Sequence, residues 1–435
     1  MNSRARTIIS CPAVIFIAAV CTRLGAAAYT FRNSFGPDVL FVQNEPSHIA
    51  AALASGLGFS SPYAGAPPVP TAQQPPLYPL IVAVIFRIFG VFTTQSAWAV
   101  VGLNILAGGI TAVLIYRLGR VHFGNTVGIV AAWLWVLPWM YESRAFSVSC
   151  SNSYLAALGF TALLLLLSNV MKSDWSWIAL GSFCGALVLL QPAFLAVFVV
   201  YGICLVLDKQ KKSHILMVSL ALLVVLVPWT VRNYAVFGRL IPIRDNFGLE
   251  LWLGNRPGMQ DTVDYSGDFP DHDPTAYSRM GEMKFMDTEF REATQYILGN
   301  PAAFVSRFFR RMVEFWYFPY PIAWIALSML SWVGAASVWK THQNSWLFIV
   351  PLFTYPLVFC VTHLFANYRH PIDPIIILLA AYTIVDIGRR YRGHVKSRTQ
   401  RNPASIEDQP SPAKALSLAS EIAVVISLRN CDLPC

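Results

Sequence analysis

Charge is what this 435-residue chain has little of: Asp, Glu, Lys and Arg together make up 13% of it, about half the share of an ordinary soluble domain. With 55% of residues apolar and a mean hydropathy of +0.51, a soluble globular protein is excluded. No CxxC pair occurs, and Cys11, Cys21, Cys184, Cys204 and Cys360 sit inside apolar runs, so no disulfide framework is expected. A Gly-rich phosphate loop, an HExxH pair and a nucleotide fingerprint are all missing, and no repeat period is visible. Ionisable groups are almost absent from the apolar runs: Arg23 and Asp386 lie near run ends, and His214 and His363 are the main titratable exceptions. Ion-coupled transport uses acids or histidines at the membrane midplane, so that class is demoted as well.

What the chain does have is length in lipid. Apolar runs long enough to span, about 17 to 25 residues, fall near 7–28, 95–116, 124–141, 153–170, 213–230, 321–339, 345–365 and 371–388. The stretch 175–207, broken by Gln191-Pro192, reads as a tight pair of spans, which makes ten. The fold class expected is an all-α polytopic membrane protein.

The run 77–92 is the hard case, since it follows Pro75-Pro76 and carries Pro79 and Arg87. Basic residues decide it. If it does not cross and Arg4 and Arg6 are cytoplasmic, then the Arg117/Arg120, Lys172, Lys209/Lys211/Lys212 and Lys340 loops and the tail from Arg389-Arg390 all become cytoplasmic. The other side keeps Arg32, Arg144 and Arg369 in short loops. The 77–92 run is therefore read as a re-entrant or surface-lying helix on the outer side, with both chain termini cytoplasmic. The net charge of +9 is by this reading a topology signal, not the footprint of a nucleic-acid partner. An alternative for the N-terminus is a cleaved signal peptide ending near Ala26-Ala27-Ala28.

Residues 1–390 form one membrane domain in this reading, with a first outer loop at 29–94 and a second large outer segment at 231–320. Twelve of the 23 acids lie in the second. Asp273-Pro274 and Asn300-Pro301 mark two helix starts there. The second of these helices interleaves Phe304, Phe308, Val313 and Trp316 with Arg307, Arg310 and Arg311, which suits the lipid headgroup layer. Residues 391–435 read as a disordered, basic cytoplasmic tail, and the apolar run 415–428 within it is too short to span.

One carboxylate stands out. Gln43-Asn44-Glu45-Pro46-Ser47-His48-Ile49-Ala50-Ala51 places Glu45 at the mouth of a short amphipathic helix, ahead of a Pro-rich loop that leads to Pro75-Pro76-Leu77-Tyr78-Pro79. Such an acid could accept a proton from a sugar or lipid hydroxyl, or it could simply complement a helix dipole.

The spacing of this acid, the Ile49 to Ser60 stretch and Pro75-Pro76-Leu77-Tyr78-Pro79 resembles the first outer loop of GT-C type polyprenyl-phosphate-sugar glycosyltransferases. The family-39-like enzymes, related to protein O-mannosyltransferases and lipid A aminoarabinose transferases, are the nearest kin. The resemblance continues in order through Tyr116-Arg117-Leu118-Gly119-Arg120, Val231-Arg232-Asn233-Tyr234, Ile243-Arg244-Asp245-Asn246-Phe247-Gly248, Leu253-Gly254-Asn255 and Asn367-Tyr368-Arg369-His370-Pro371-Ile372.

The resemblance implies a GT-C-like bundle in a membrane, the bacterial inner membrane by kinship. It also implies an inverting transfer of one sugar from a polyprenyl-phosphate carrier to a hydroxyl on the outer face. Protein, lipid A and polysaccharide remain open as acceptors, and no cofactor is called for. Glu45 matches the family's base, with Asp38 as the fallback. The leaving phosphate needs preorganised positive charge, for which Arg232, Arg244 and Arg369 are the candidates, with His370 and Tyr78 as hydrogen-bond donors. Many GT-C enzymes carry a second acid after the third span. Only Glu142 is available here, it sits early, and no metal site is assigned. The alternative reading is a non-enzymatic lipid-binding or lipid-translocating membrane protein.

Overall fold

The computed structural model describes residues 7–33, 40–41, 44–63, 68–137, 149–168, 174–208, 210–258, 274–317 and 322–401. Asp38, Glu142 and the 415–428 run lie outside these residues. Among the described residues the secondary structure is helical apart from isolated bridge residues, Ser60 and Pro70 pairing with each other.

All ten expected spans are helices: Pro12–Asn33, Thr94–Phe123, Asn125–Val136, Ser153–Ser168, Asp174–Leu190, Phe194–Leu207, Lys212–Phe237, Ile322–Thr341, Trp346–Val361 and Asp373–Arg401. Five apolar segments, Pro12–Thr30, Thr94–Phe123, Lys212–Phe237, Ile322–Thr341 and Asn367–His394, are long enough to cross a bilayer by themselves. The others are shorter apolar helices. Leu216, Leu220, Leu223, Val224 and Val227 are exposed on Lys212–Phe237, as expected of a face that meets lipid rather than water. The chain is a multi-pass integral membrane protein.

Between apolar helices in lipid there is no hydrophobic drive to associate, so close backbone approach through small residues takes its place. A Cβ on Gly128 would meet the Tyr116 carbonyl and Arg120 nitrogen, which lets Asn125–Val136 fold back against Thr94–Phe123. The reversal itself is made at Gly124, whose φ of +94° favours glycine. Gly181 and Gly185 admit the Lys212–Phe237 backbone at Val218 and Leu222 in the same way.

Leu77–Phe89 is a helix of 13 residues, about 20 Å long at 1.5 Å per residue against a hydrocarbon core of about 30 Å. It packs beside the Glu45–Ala54 helix. Phe86 meets Phe41 and Phe92 with ring centroids 5.1 and 5.4 Å apart, and Arg87 donates to the Leu53 carbonyl at 3.3 Å.

The second large segment supplies Phe247–Asn255, Pro274–Met280, Glu282–Gly299 and Pro301–Tyr317, with helices starting at both expected prolines. One expectation there is corrected. Arg311 does not lie on a lipid-facing basic surface but is fully buried, because it caps two helix ends as described below. The last helix runs to Arg401, with an Asp386–Arg390 pair at 2.8 Å one turn apart. The chain divides into units Met1–Thr383 and Ile384–Cys435.

Candidate active site

Asn44 is extended, with φ of −126°, and Glu45 and Pro46 open the helix that follows. The Ser47 hydroxyl donates to the Phe41 and Asn44 carbonyls at 2.6 and 2.7 Å, which holds the turn. Glu45 is partly buried. Its Oε1 accepts from Gln73 Nε2 at 2.7 Å, and its Oε2 accepts from Gln74 Nε2. Burial pushes the Glu45 carboxyl up to about 7. The Gln74 amide, Arg244 and His363 pull in the opposite direction, and Glu250 adds to the rise.

The two glutamines are fixed through their backbone. Arg232 donates to the Thr71 carbonyl at 2.7 Å and the Phe59 carbonyl at 2.8 Å, and its guanidinium lies 5.0 Å from the Trp229 ring centre. The Asp245 amide donates to the Ala72 carbonyl at 2.9 Å. On the other side of the same residue, the Ala72 amide donates to Glu282 Oε1 at 2.6 Å. Glu282 Oε2 in turn accepts from the Tyr277 hydroxyl at 2.5 Å. Arg232 and Glu282 thus hold the loop that carries Gln73 and Gln74.

Burial pushes Glu282 up to about 7, above its ordinary value of 4.5, despite hydrogen bonds from Thr71, Tyr277 and Ala72. The folded chain therefore binds this proton more tightly than the unfolded chain, and stability from Glu282 falls as pH rises from about 4.5 to about 7. Glu282→Gln is expected to flatten that fall, measured as the unfolding temperature across this window. An unchanged slope would show that Glu282 does not carry it.

A second cluster lies within electrostatic reach of Glu45. Glu250, on the Phe247–Asn255 helix, accepts from Arg244 through Oε1 and from Asn246 Nδ2 at 2.7 Å. Its Oε2 lies 3.0 Å from His363 Nδ1, and His363 Nε2 is 3.4 Å from the Tyr368 hydroxyl. Burial alone would raise Glu250, but His363 and Arg244 outweigh it and hold the carboxyl at about 2. Two carboxylates that feel each other thus titrate far apart, which separates a group able to take a proton near neutral pH from one that stays charged.

Close packing brings this cluster together. A Cβ on Gly254 would collide with the Thr362 carbonyl, and one on Gly248 with the Met286 carbonyl. The Phe247–Asn255 helix can therefore sit against the segment bearing His363. Asn255 Nδ2 donates to the Val361 carbonyl at 3.0 Å. Arg311 donates to Gly254 O and to Cys360 O, the latter at 3.1 Å, so one cation serves the carbonyl ends of two helices. Gly254→Ala is expected to destabilise the fold by about 1–3 kcal/mol through overpacking, read as a lower unfolding temperature. A wild-type temperature would mean that the helix shifts freely.

Of the residues expected from the sequence, Glu45 and Arg244 lie within electrostatic reach of each other without a direct bond, and Arg232 holds the glutamine loop. Arg369 is directed elsewhere. Its Nε is 3.0 Å from Asp373 Oδ1, and its Nη1 donates to the Trp316 carbonyl and Ser328 hydroxyl, each at 3.2 Å. His370 Nδ1 lies 3.2 Å from the other Asp373 oxygen, and the ring stacks on Trp135 at 5.3 Å. The Tyr78 hydroxyl is 3.8 Å from Cys150 Sγ. Among the described residues no group of three or more His, Cys, Asp or Glu side chains could hold a metal ion.

Sequence reasoning missed Gln73, Gln74, Glu250 and Glu282, and noted His363 only as a titratable exception within an apolar run. Glu250 sits between two motif stretches that drew notice, and the glutamines directly precede Pro75-Pro76. Nothing local in Glu282 or His363 signals a partner, because each partner is distant in sequence.

Residues 73–231 match the family model of dolichyl-phosphate-mannose-protein mannosyltransferases, a stretch that includes Gln73, Gln74 and Tyr78 but not Glu45 or Arg244. Among curated proteins no sequence matches. By structure, the chain is similar to the oligosaccharyltransferase AglB from the archaeon Archaeoglobus fulgidus in complex with an inhibitory peptide and a dolichol-phosphate. The TM-score is 0.53 at 13% identity, covering 95% of this chain and 54% of that one. The apo form of the Archaeoglobus fulgidus oligosaccharyltransferase gives 0.54, with the same identity and coverage. Apo ArnT from Cupriavidus metallidurans scores 0.48 at 13% identity, over 85% of this chain and 61% of that one. The chain thus spans little more than half the length of these proteins. The resemblance to GT-C glycosyltransferases read in the loop motifs holds at two levels, as a match to the mannosyltransferase family model over 73–231 and as a shared oligosaccharyltransferase fold over nearly the whole chain.

Proposed function

We propose that this protein is a membrane glycosyltransferase that moves one sugar from a polyprenyl-phosphate donor to an acceptor hydroxyl at the non-cytoplasmic face, with inversion. The observation that carries this reading is the Glu45 carboxyl, held by two amides and raised to about 7 beside the Arg244, Glu250 and His363 cluster. A general base works best with a pKa near the working pH. Glu45 takes the proton of the acceptor hydroxyl as its oxygen attacks the anomeric carbon. The bond from that carbon to the lipid-phosphate oxygen breaks, and the phosphate leaves with the bonding pair.

Arg244 supplies positive charge for that phosphate. A guanidinium has five N–H donors in a planar fork suited to phosphate, more than its bonds to Glu250 and Asn246 use. Arg232 acts from behind, through the glutamine loop.

The test is turnover by the full chain in nanodiscs, offered a panel of radiolabelled polyprenyl-phosphate monosaccharides that includes dolichyl-phosphate mannose. Label is expected to leave the lipid, with inverted anomeric configuration in the product. Saturable binding of every donor without release of sugar from any would overturn the proposal in favour of a non-enzymatic lipid-binding protein.

A further inference from the structure

We propose that Gln73 and Gln74 are positioning residues that lock both oxygens of Glu45 and keep its carboxylate oriented and ionised for proton abstraction. This inference rests on the reading of Glu45 as the base. A carboxylate at the start of a helix can rotate about its last bond. Here each oxygen has its own amide donor, at 2.7 Å from Gln73 and also within hydrogen-bonding distance of Gln74. The same Gln73 Nε2 also donates to the Tyr63 hydroxyl at 2.6 Å, and the ionised carboxylate, which only accepts, requires the nitrogen end of the side chain to face it. Its Oε1 is buried with no partner among the described residues, an arrangement the fold keeps while directing the NH2 at Glu45.

The backbone beneath is held as firmly. The Gln73 amide donates to Thr71 Oγ1 at 3.0 Å, Ala72 is bonded on both its polar groups, and Pro75 restricts the backbone of Gln74. Side-chain amides on a flexible loop could not do this.

The chemistry favours amides over cations here. Hydrogen bonds to a charged carboxylate stabilise it, and neutral donors do so moderately. A Lys or Arg in direct contact would hold the carboxyl so low that it became a poor base. The other charged or titratable groups that interact with Glu45 are Glu250, which opposes its ionisation, Arg244 and His363, which favour it, and Tyr63 and Tyr277, whose own ionisation its charge opposes; the Tyr368 hydroxyl lies on His363 in the same cluster.

Removing an amide therefore raises the titration midpoint of Glu45. Isotope-edited infrared titration of the full chain reads this directly, with the Glu45 band assigned by its absence in Glu45→Gln. Gln74→Ala is expected to move the midpoint up by about one pH unit, and Gln74→Lys to move it down. At pH 7 a rise of that size lowers the ionised fraction about fivefold, so the acid limb of the sugar-release rate shifts by the same interval. Gln73 is fully buried, so Gln73→Ala serves as the second variant, with the same direction expected.

A midpoint unmoved in Gln74→Ala and Gln74→Lys overturns the positioning role, even where Glu45→Gln abolishes turnover. Sugar release unaffected by Glu45→Gln overturns the base assignment, and with it the catalytic meaning of the glutamines, whatever the infrared midpoints do.

Discussion

Glu45→Gln is expected to lower kcat for sugar release by about 10²–10⁴-fold, the usual contribution of a positioned general base, while changing donor binding little. The substitution keeps the shape of the side chain but removes the lone pair that takes the proton. Glutamine also presents an NH2 to one of the two amides that now donate to the carboxylate, so local order is expected to loosen as well. Initial rates against donor concentration separate the two effects, since loss of the base lowers kcat and loss of order raises KM. The wild-type rate should fall as pH drops through about 7, where the Glu45 carboxyl takes up its proton. A rate within tenfold of wild type would exclude Glu45 as the base.

Asp373→Ala is expected to cost about 3–5 kcal/mol of stability, because it leaves Arg369 as a buried and uncompensated charge. Both side chains of the pair are 1% exposed, and His370, on the other Asp373 oxygen, is 2% exposed. Arg369 also joins the Trp316 carbonyl at the end of one helix to Ser328 on the next, so its loss loosens three elements together. A double Arg369→Leu, Asp373→Leu variant should lose less than the sum of the single changes, since it removes the burial penalty along with the attraction. Thermal unfolding in detergent, followed by tryptophan fluorescence, gives these differences. The same series decides what Arg369 does. Loss of donor affinity in Arg369→Ala with unchanged unfolding would place it on the donor phosphate instead.

How much of this could be read in advance depended on the range over which each signal acts. The spans were legible because transfer of apolar surface out of water is local and additive along the chain. Pro274 and Pro301 marked helix starts because proline at the first helical position acts within one turn. Glu45 was legible because it is one of few acids outside the 231–320 segment and sits at a helix start. Arg311 was misplaced because an arginine between Phe308 and Trp316 looks the same in sequence whether it meets lipid headgroups or two helix ends. Its burial depends on Gly254 and Cys360, 57 and 49 residues away.

The sequence by itself determined the solvent, the helices and one acid worth attention, since hydropathy, helix capping and the positions of scarce charges are properties of short stretches. Only the tertiary structure decided which charges meet. It turned Arg369 toward Asp373 and Arg244 toward Glu250, and it brought Gln73 and Gln74 to Glu45 across 28 and 29 residues. Burial and pairing set the titration of a carboxylate, and both depend on what distant segments place beside it. Two glutamates that start from the same ordinary value of 4.5 therefore end near 7 and near 2.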